Sequence, residues 1–127
     1  MTRESLAAEH RLIEEPLDQL AALVSGLTAA SLPAIREAHN RLRERWQPHF
    51  EMEEARVFPA LRERVPATVS KMREQHDWVR ELDAWLVRLL AEEHPDLRDL
   101  ERCLRQLLAI LQHHLLEEER DLLPHLG

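Results

Sequence analysis

One phrase occurs twice in this 127-residue chain, at 49–61 (HFEMEEARVFPAL) and at 114–126 (HLLEEERDLLPHL); each copy reads H-x-x-x-E-E-x-x-[VL]-[FL]-P-x-L. In a helix the His and the first Glu, four apart, stand one turn above each other on one face, where both can reach a single ion. Upstream the spacing recurs, with His10 and His76 66 positions apart against 65 for His49 and His114. The chain therefore reads as a duplicated two-helix unit that carries H and then H-x-x-x-E, twice over. The expected fold is all-α, an up-down-up-down antiparallel four-helix bundle.

Composition agrees and closes off alternatives. Two glycines in the whole chain, with abundant Leu, Ala, Glu and Arg, leave no strand or hairpin signal. The length suits one domain, residues 1–127, that buries a core without disulfide staples. A net charge of −7, with arginines scattered among acids, argues against a nucleic-acid partner. Arg3, Glu4, Glu9, Arg11, Glu14, Glu15 and Asp18 crowd the first thirty residues, so neither a signal peptide nor a membrane span fits. The expectation is a soluble, cytoplasmic protein. Cys103 stands alone and cannot form an internal disulfide, in keeping with a reducing compartment.

Punctuation marks four helices. The first is expected from about Ser5 to Ser25, stopped by Gly26; Ser31 offers an N-cap and Pro33 a first-turn proline for the second, which Pro66 breaks. A third runs from about Thr68 to Glu92 and ends at His94-Pro95, and Asp96 caps a fourth that reaches Pro124. The apolar seams fall at 6, 13, 17, 20 and 24; at 35, 38, 42, 46, 57 and 60; at 69, 72, 79, 82, 86 and 90; and at 100, 104, 107 and 111. Only His10, His49, Glu53, His76, His114 and Glu118 interrupt them. Buried carboxylates beside four imidazoles are tolerable only around a shared cation.

Ligands on antiparallel helices meet only if they are equidistant from the connecting turn. His10 and His49 are centred on 29 to 30, inside the turn between Gly26 and Ser31, and His76 and His114 are centred on Pro95. Glu53 and His76 are centred on 64 to 65, beside Pro66, so all six side chains can share one layer. Six ligands are too many for one tetrahedral zinc and too nitrogen-rich for calcium or magnesium. They suit two transition metals, iron first and manganese next, bridged by two carboxylates with two His at each. Open positions would remain for a bridging oxo or hydroxo group and a small exogenous ligand. An apolar surround admits dioxygen or nitric oxide more readily than a charged substrate.

Other residues read as background. His39, His94 and His125 are expected to face solvent, Cys103 to be a packed core thiol, and Trp46, Trp78 and Trp85 to be packing residues, the first two close enough to line the pocket. Glu14, one turn beyond His10, reads as a solvated face, although it could add a ligand. His113 lies five residues before Glu118, yet repeat alignment selects His114. Pro16, Pro48 and Pro59 should bend their helices.

With His10, His49, Glu53, His76, His114, Glu118 and the E-E-x-x-[VL]-[FL]-P tails in place, the chain resembles the hemerythrin-like, or HHE cation-binding, family over essentially its whole length. Ferritin-like di-iron bundles would show E-x-x-H, and none of the eight histidines has a Glu three residues before it. The resemblance implies a non-heme di-iron centre that binds or senses dioxygen, nitric oxide or peroxide. The alternative it leaves open is a di-iron oxidoreductase or iron-centre repair protein of oxidative or nitrosative stress; a metal-free structural bundle is a third class. Oxygen-carrying members have H-x-x-x-H on the third helix, whereas here Met72 and Arg80 flank His76, and their fourth helix reads H-x-x-x-x-D. The absent fifth histidine argues against reversible oxygen carriage.

Overall fold

A computed structural model of the chain describes residues 2–126. Helix α1 spans Arg3–Val24, a 3-10 turn covers Ala29–Ser31, and α2 spans Leu32–Met52. A π-helical turn at Glu53–Val57 continues α2 into a short α3, Phe58–Leu61. Helix α4 spans Pro66–Ala91 and α5 spans Leu97–Glu117, extended by a second π-helical turn at Glu118–Leu122 and a 3-10 turn at Leu123–His125. No strand occurs among the described residues. The expected all-α, up-down-up-down four-helix bundle is what forms.

Local chemistry sets the helix ends. Helix α1 starts two residues earlier than Ser5, because Thr2 and Ser5 form a capping box, each hydroxyl accepting the other residue's backbone N–H at 3.1 Å. It ends before Gly26, whose φ of 127° only glycine adopts without strain. Pro66 opens α4 rather than merely ending α2, its fixed φ suiting the first turn. Asp96 accepts the N–H groups of Arg98 and Asp99 at 2.9 and 3.0 Å and caps α5 as expected. Arg36 donates to the carbonyls of Leu90 and Glu92 and ties the start of α2 to the end of α4. In the same way Arg3 donates to the carbonyls of Leu123 and Pro124, tying the start of α1 to the chain's last turn. Each neighbouring pair thus runs antiparallel.

The seam residues named from sequence are buried, with two exceptions. Ala60 is exposed and Phe58 and Leu61 are buried in its stead. The π turn inserts one extra residue, so the inward face beyond Glu53 no longer follows the α-helical period. Leu90 is only half-buried, and Leu89 takes the inner position.

His39 is not solvent-facing; it is 4% exposed and bonded through Nε2 to the buried Asp83 at 2.7 Å. Asp83 also faces the Arg43 guanidinium at 3.2 Å. His94 is exposed as expected, and His125 is half-buried. Cys103 is buried, and its thiol is pushed up to about 12 by burial and then by the Asp83 charge, which makes it inert packing. Trp46 is buried against Phe50, whereas Trp78 is 57% exposed and lines no buried pocket. Two residues after His76, it lies on the opposite side of α4.

Two apolar clusters fill the bundle. The larger runs from Ile13 to Val24, Leu32 to Phe50, Val79 to Leu89 and Leu100 to Leu115; the smaller gathers Leu6, Val57, Phe58, Leu61, Val69, Met72, Leu122 and Leu123. On every helix the switch from one cluster to the other falls at the predicted His or Glu. The polar residues form a layer that divides the core.

Candidate metal centre

All six predicted side chains meet in that layer, each 0 to 2% exposed. The ring centroids of His10 and His49 are 5.0 Å apart and those of His76 and His114 4.8 Å apart, so each hairpin brings its own two imidazoles together. Glu118 joins the pairs. Its Oε1 lies 2.6 Å from His10 Nε2 and 3.4 Å from His49 Nε2, and its Oε2 lies 3.1 Å from His114 Nε2. Glu53 Oε1 sits between one histidine of each pair, 3.3 Å from His49 Nε2 and 3.2 Å from His76 Nε2. Two groups of potential ligand atoms result, His10, His49 and Glu118 in one and Glu53, His76, His114 and Glu118 in the other.

Four further residues, which the sequence reading passed over, aim the imidazoles. His10 Nδ1 meets Glu119 at 3.1 Å, His49 Nδ1 meets Glu9 at 3.3 Å, His76 Nδ1 meets Glu54 at 2.7 Å and His114 Nδ1 meets the Gln75 side-chain oxygen at 2.8 Å. Carboxylates only accept, so the Nδ1 atoms facing them carry the proton and the Nε2 atoms point inward. The signal was in the repeat. Glu54 and Glu119 are the second Glu of the two E-E pairs, and Glu9 and Gln75 each precede a lone ligand-type His.

Two other candidates drop out. Glu14 is exposed, and His113 is turned outward, 58% exposed and 2.7 Å from Glu117.

Whether the layer fits a cation can be judged from its own atoms. Both oxygens of Glu53, Oε2 of Glu118 and Nε2 of His76 and His114 are buried and have no hydrogen-bond partner among the described residues. Such orphans cost about 1–3 kcal/mol each, and a cation among them would satisfy all five at once. Electrostatics agree. Burial, and then the charge of Glu118, push the Glu53 carboxyl well above its ordinary value. Burial alone would raise Glu118 too, but the imidazoles crowded around it, His10 first and then His114 and His49, outweigh burial and hold that carboxyl well below the usual range. Burial would lower His10, but the contacts with Glu118 and Glu119 together outweigh it and raise the ring. Burial, helped by His114, lowers His76 to about 3. Without a cation the layer thus favours the protonated forms of Glu53 and His10, where an ion would otherwise act.

The stability consequence has a defined sign. A raised Glu53 contributes stability that is fully present below the unfolded value of 4.5 and lost as pH rises through the folded one. The lowered His76 acts oppositely, stability increasing with pH between about 3 and 6.5. In chelator-treated protein the two therefore oppose each other above pH 4.5, and the raised His10 ring adds a loss above 6.5. Glu53→Gln, permanently neutral, should make melting temperature rise more steeply with pH above 4.5 than in the original; an unchanged pH profile in that variant would assign the loss elsewhere.

Fold and site together define a helical bundle with a buried layer of potential metal ligands. The sequence profile of the hemerythrin HHE cation-binding domain matches residues 1–126. The chain belongs to that family and is a cation-binding domain of the hemerythrin type. No curated protein and no solved structure matches it.

Proposed function

We propose that this protein holds two iron ions and binds or senses a small diatomic or peroxide ligand, dioxygen, nitric oxide or hydrogen peroxide, beside them. The observation that carries the reading is the sharing of Glu118 between two groups of ligand atoms. His10 and His49 would hold one ion and His76 and His114 the other, with Glu118 and Glu53 between them. Four imidazole nitrogens with carboxylate oxygens suit iron, and manganese next, better than calcium or magnesium. When bound, such ions supply open coordination positions and redox capacity to a small ligand.

The surrounding residues restrict what can enter. Phe50 stacks on His76 with centroids 3.7 Å apart and rings 5° from parallel, and Phe58 packs on the same ring at 5.1 Å. Apolar walls exclude water and charged substrates. A groove of about 280 Å³ between α1 and α5, lined in part by Leu17, Leu115 and Glu119, reaches the carboxylate that contacts the His10 ring.

Neither position flanking His76 supplies a fifth imidazole. Met72 is fully buried in the smaller cluster, and Arg80 is fixed on both oxygens of Glu54 at 2.8 and 3.0 Å. Oxidation on meeting dioxygen is therefore favoured over reversible carriage. The test is anaerobic reconstitution with ferrous iron, followed by optical spectra with each ligand. Close to two iron ions per chain, and no oxygen returned under vacuum, are expected. A folded chain that takes up no iron would sink the reading, and intact release of oxygen would reinstate carriage. Sustained consumption of peroxide or nitric oxide would mark an oxidoreductase.

A further inference from the structure

We propose that Glu117 is a positioning residue for the cation layer, acting through Gln75 to fix which nitrogen of His114 carries the proton. The inference rests on the reading of His114 as a ligand. Three of the four rings lean on carboxylates, which accept in any orientation, but His114 leans on an amide. An amide has two unlike ends. Turned one way, Gln75 accepts from His114 Nδ1; turned the other way it would donate to Nδ1 and move the ring proton to Nε2, the nitrogen that must face the ion with a free lone pair.

Glu117 decides between the two. Its Oε2 lies 2.8 Å from the Gln75 side-chain nitrogen, and since a carboxylate cannot donate, the amide must present NH2 to Glu117 and oxygen to His114. Glu117 is itself held as a carboxylate. It is 5% exposed, and its Oε1 lies 2.8 Å from Lys71 Nζ and 2.7 Å from His113 Nε2, with Arg120 at 3.9 Å. The hydrogen bonds therefore converge on Glu117, from Lys71 on one side and from His114 through Gln75 on the other, and the stretch from His114 to Glu117 can run only one way.

The internal repeat supplies an independent observation. Aligning the two copies on their histidines sets Glu9 against Gln75 and Met52 against Glu117. The copy with a carboxylate before its lone His has no acidic residue three after its H-x-x-x-E histidine. The copy with the amide has one. The two positions differ together, as expected if the amide needs a partner and the carboxylate does not.

The test exchanges the roles of the two side chains. In metal-free protein at mildly alkaline pH, ring nitrogen-15 NMR of the unmodified chain should show His114 protonated on Nδ1. A proton on Nε2 would overturn the proposal without any variant and whether or not iron binds. Glu117→Gln should mix the two tautomers and weaken ferrous iron, measured by chelator competition, about tenfold. Gln75→Glu should weaken iron similarly by setting two carboxylates face to face. The double variant, with carboxylate at 75 and amide at 117, should recover the single tautomer and iron affinity to within about threefold of the original. Circular dichroism reports whether each chain is folded. An unchanged tautomer and affinity in Glu117→Gln, or a double variant no better than the weaker single one, would overturn it.

Discussion

Glu118→Ala is expected to empty both cation positions. One oxygen of Glu118 faces His10 and His49 and the other faces His114, so the substitution withdraws a ligand from each group. It also leaves three inward imidazoles facing a gap, and removing one partner of a buried charged set costs about 3–5 kcal/mol. Iron per chain should fall from close to two to close to zero under conditions that saturate the original protein. Glu53→Ala, which removes the carboxylate whose Oε1 lies between His49 and His76, should retain at most one ion. If instead each Glu variant loses one ion and keeps the other, the positions are independent and the bridging geometry does not operate.

The second large effect is thermal. Five orphaned atoms burden the metal-free fold, and an ion that binds only the folded state stabilises it by mass action. Iron at a thousandfold excess over its Kd contributes about 4 kcal/mol, which for a chain of this length raises the melting temperature by about 15 °C. Glu53→Met should behave inversely, melting higher than the metal-free original because it deletes two orphaned oxygens, yet gaining less from iron than the original does. Scanning calorimetry with and without chelator measures both. A metal-free chain that melts as high as the loaded one would mean that the layer satisfies itself.

The ligand-type layer was legible because His and Glu at helical spacing interrupt apolar seams, and nothing apolar explains them there. Equidistance from the turns at Gly26 and Pro95 then placed the two pairs at one level, where the structure has them. What escaped depends on contacts between helices. His39 looked solvated because the neighbours along its own helix do not include Asp83, which comes from α4. Glu9, Glu54, Gln75 and Glu119 looked like ordinary helix surface until the facing helix supplied an imidazole. Ala60 failed for a backbone reason, since a π turn shows no side-chain period of its own. It begins at Glu53, and its counterpart begins at Glu118, so the extra residue in each arm coincides with the two inward carboxylates.

The same six groups could be assembled from two identical hairpins, and the cost of that economy shows what covalent linkage allows. In a homodimer every side chain would appear twice about a two-fold axis, forcing the outer partners of the two imidazole pairs to match. One chain escapes that restriction. Here, among the described residues, Glu9 and Glu119 carry no ion pair to Arg or Lys, whereas Glu54 is bound by Arg80, Gln75 is neutral, and Glu117 is bound by Lys71. The two flanks of an almost symmetric cradle are thus polarised unequally, and that inequality is heritable at single positions, since a substitution on one flank leaves the other untouched.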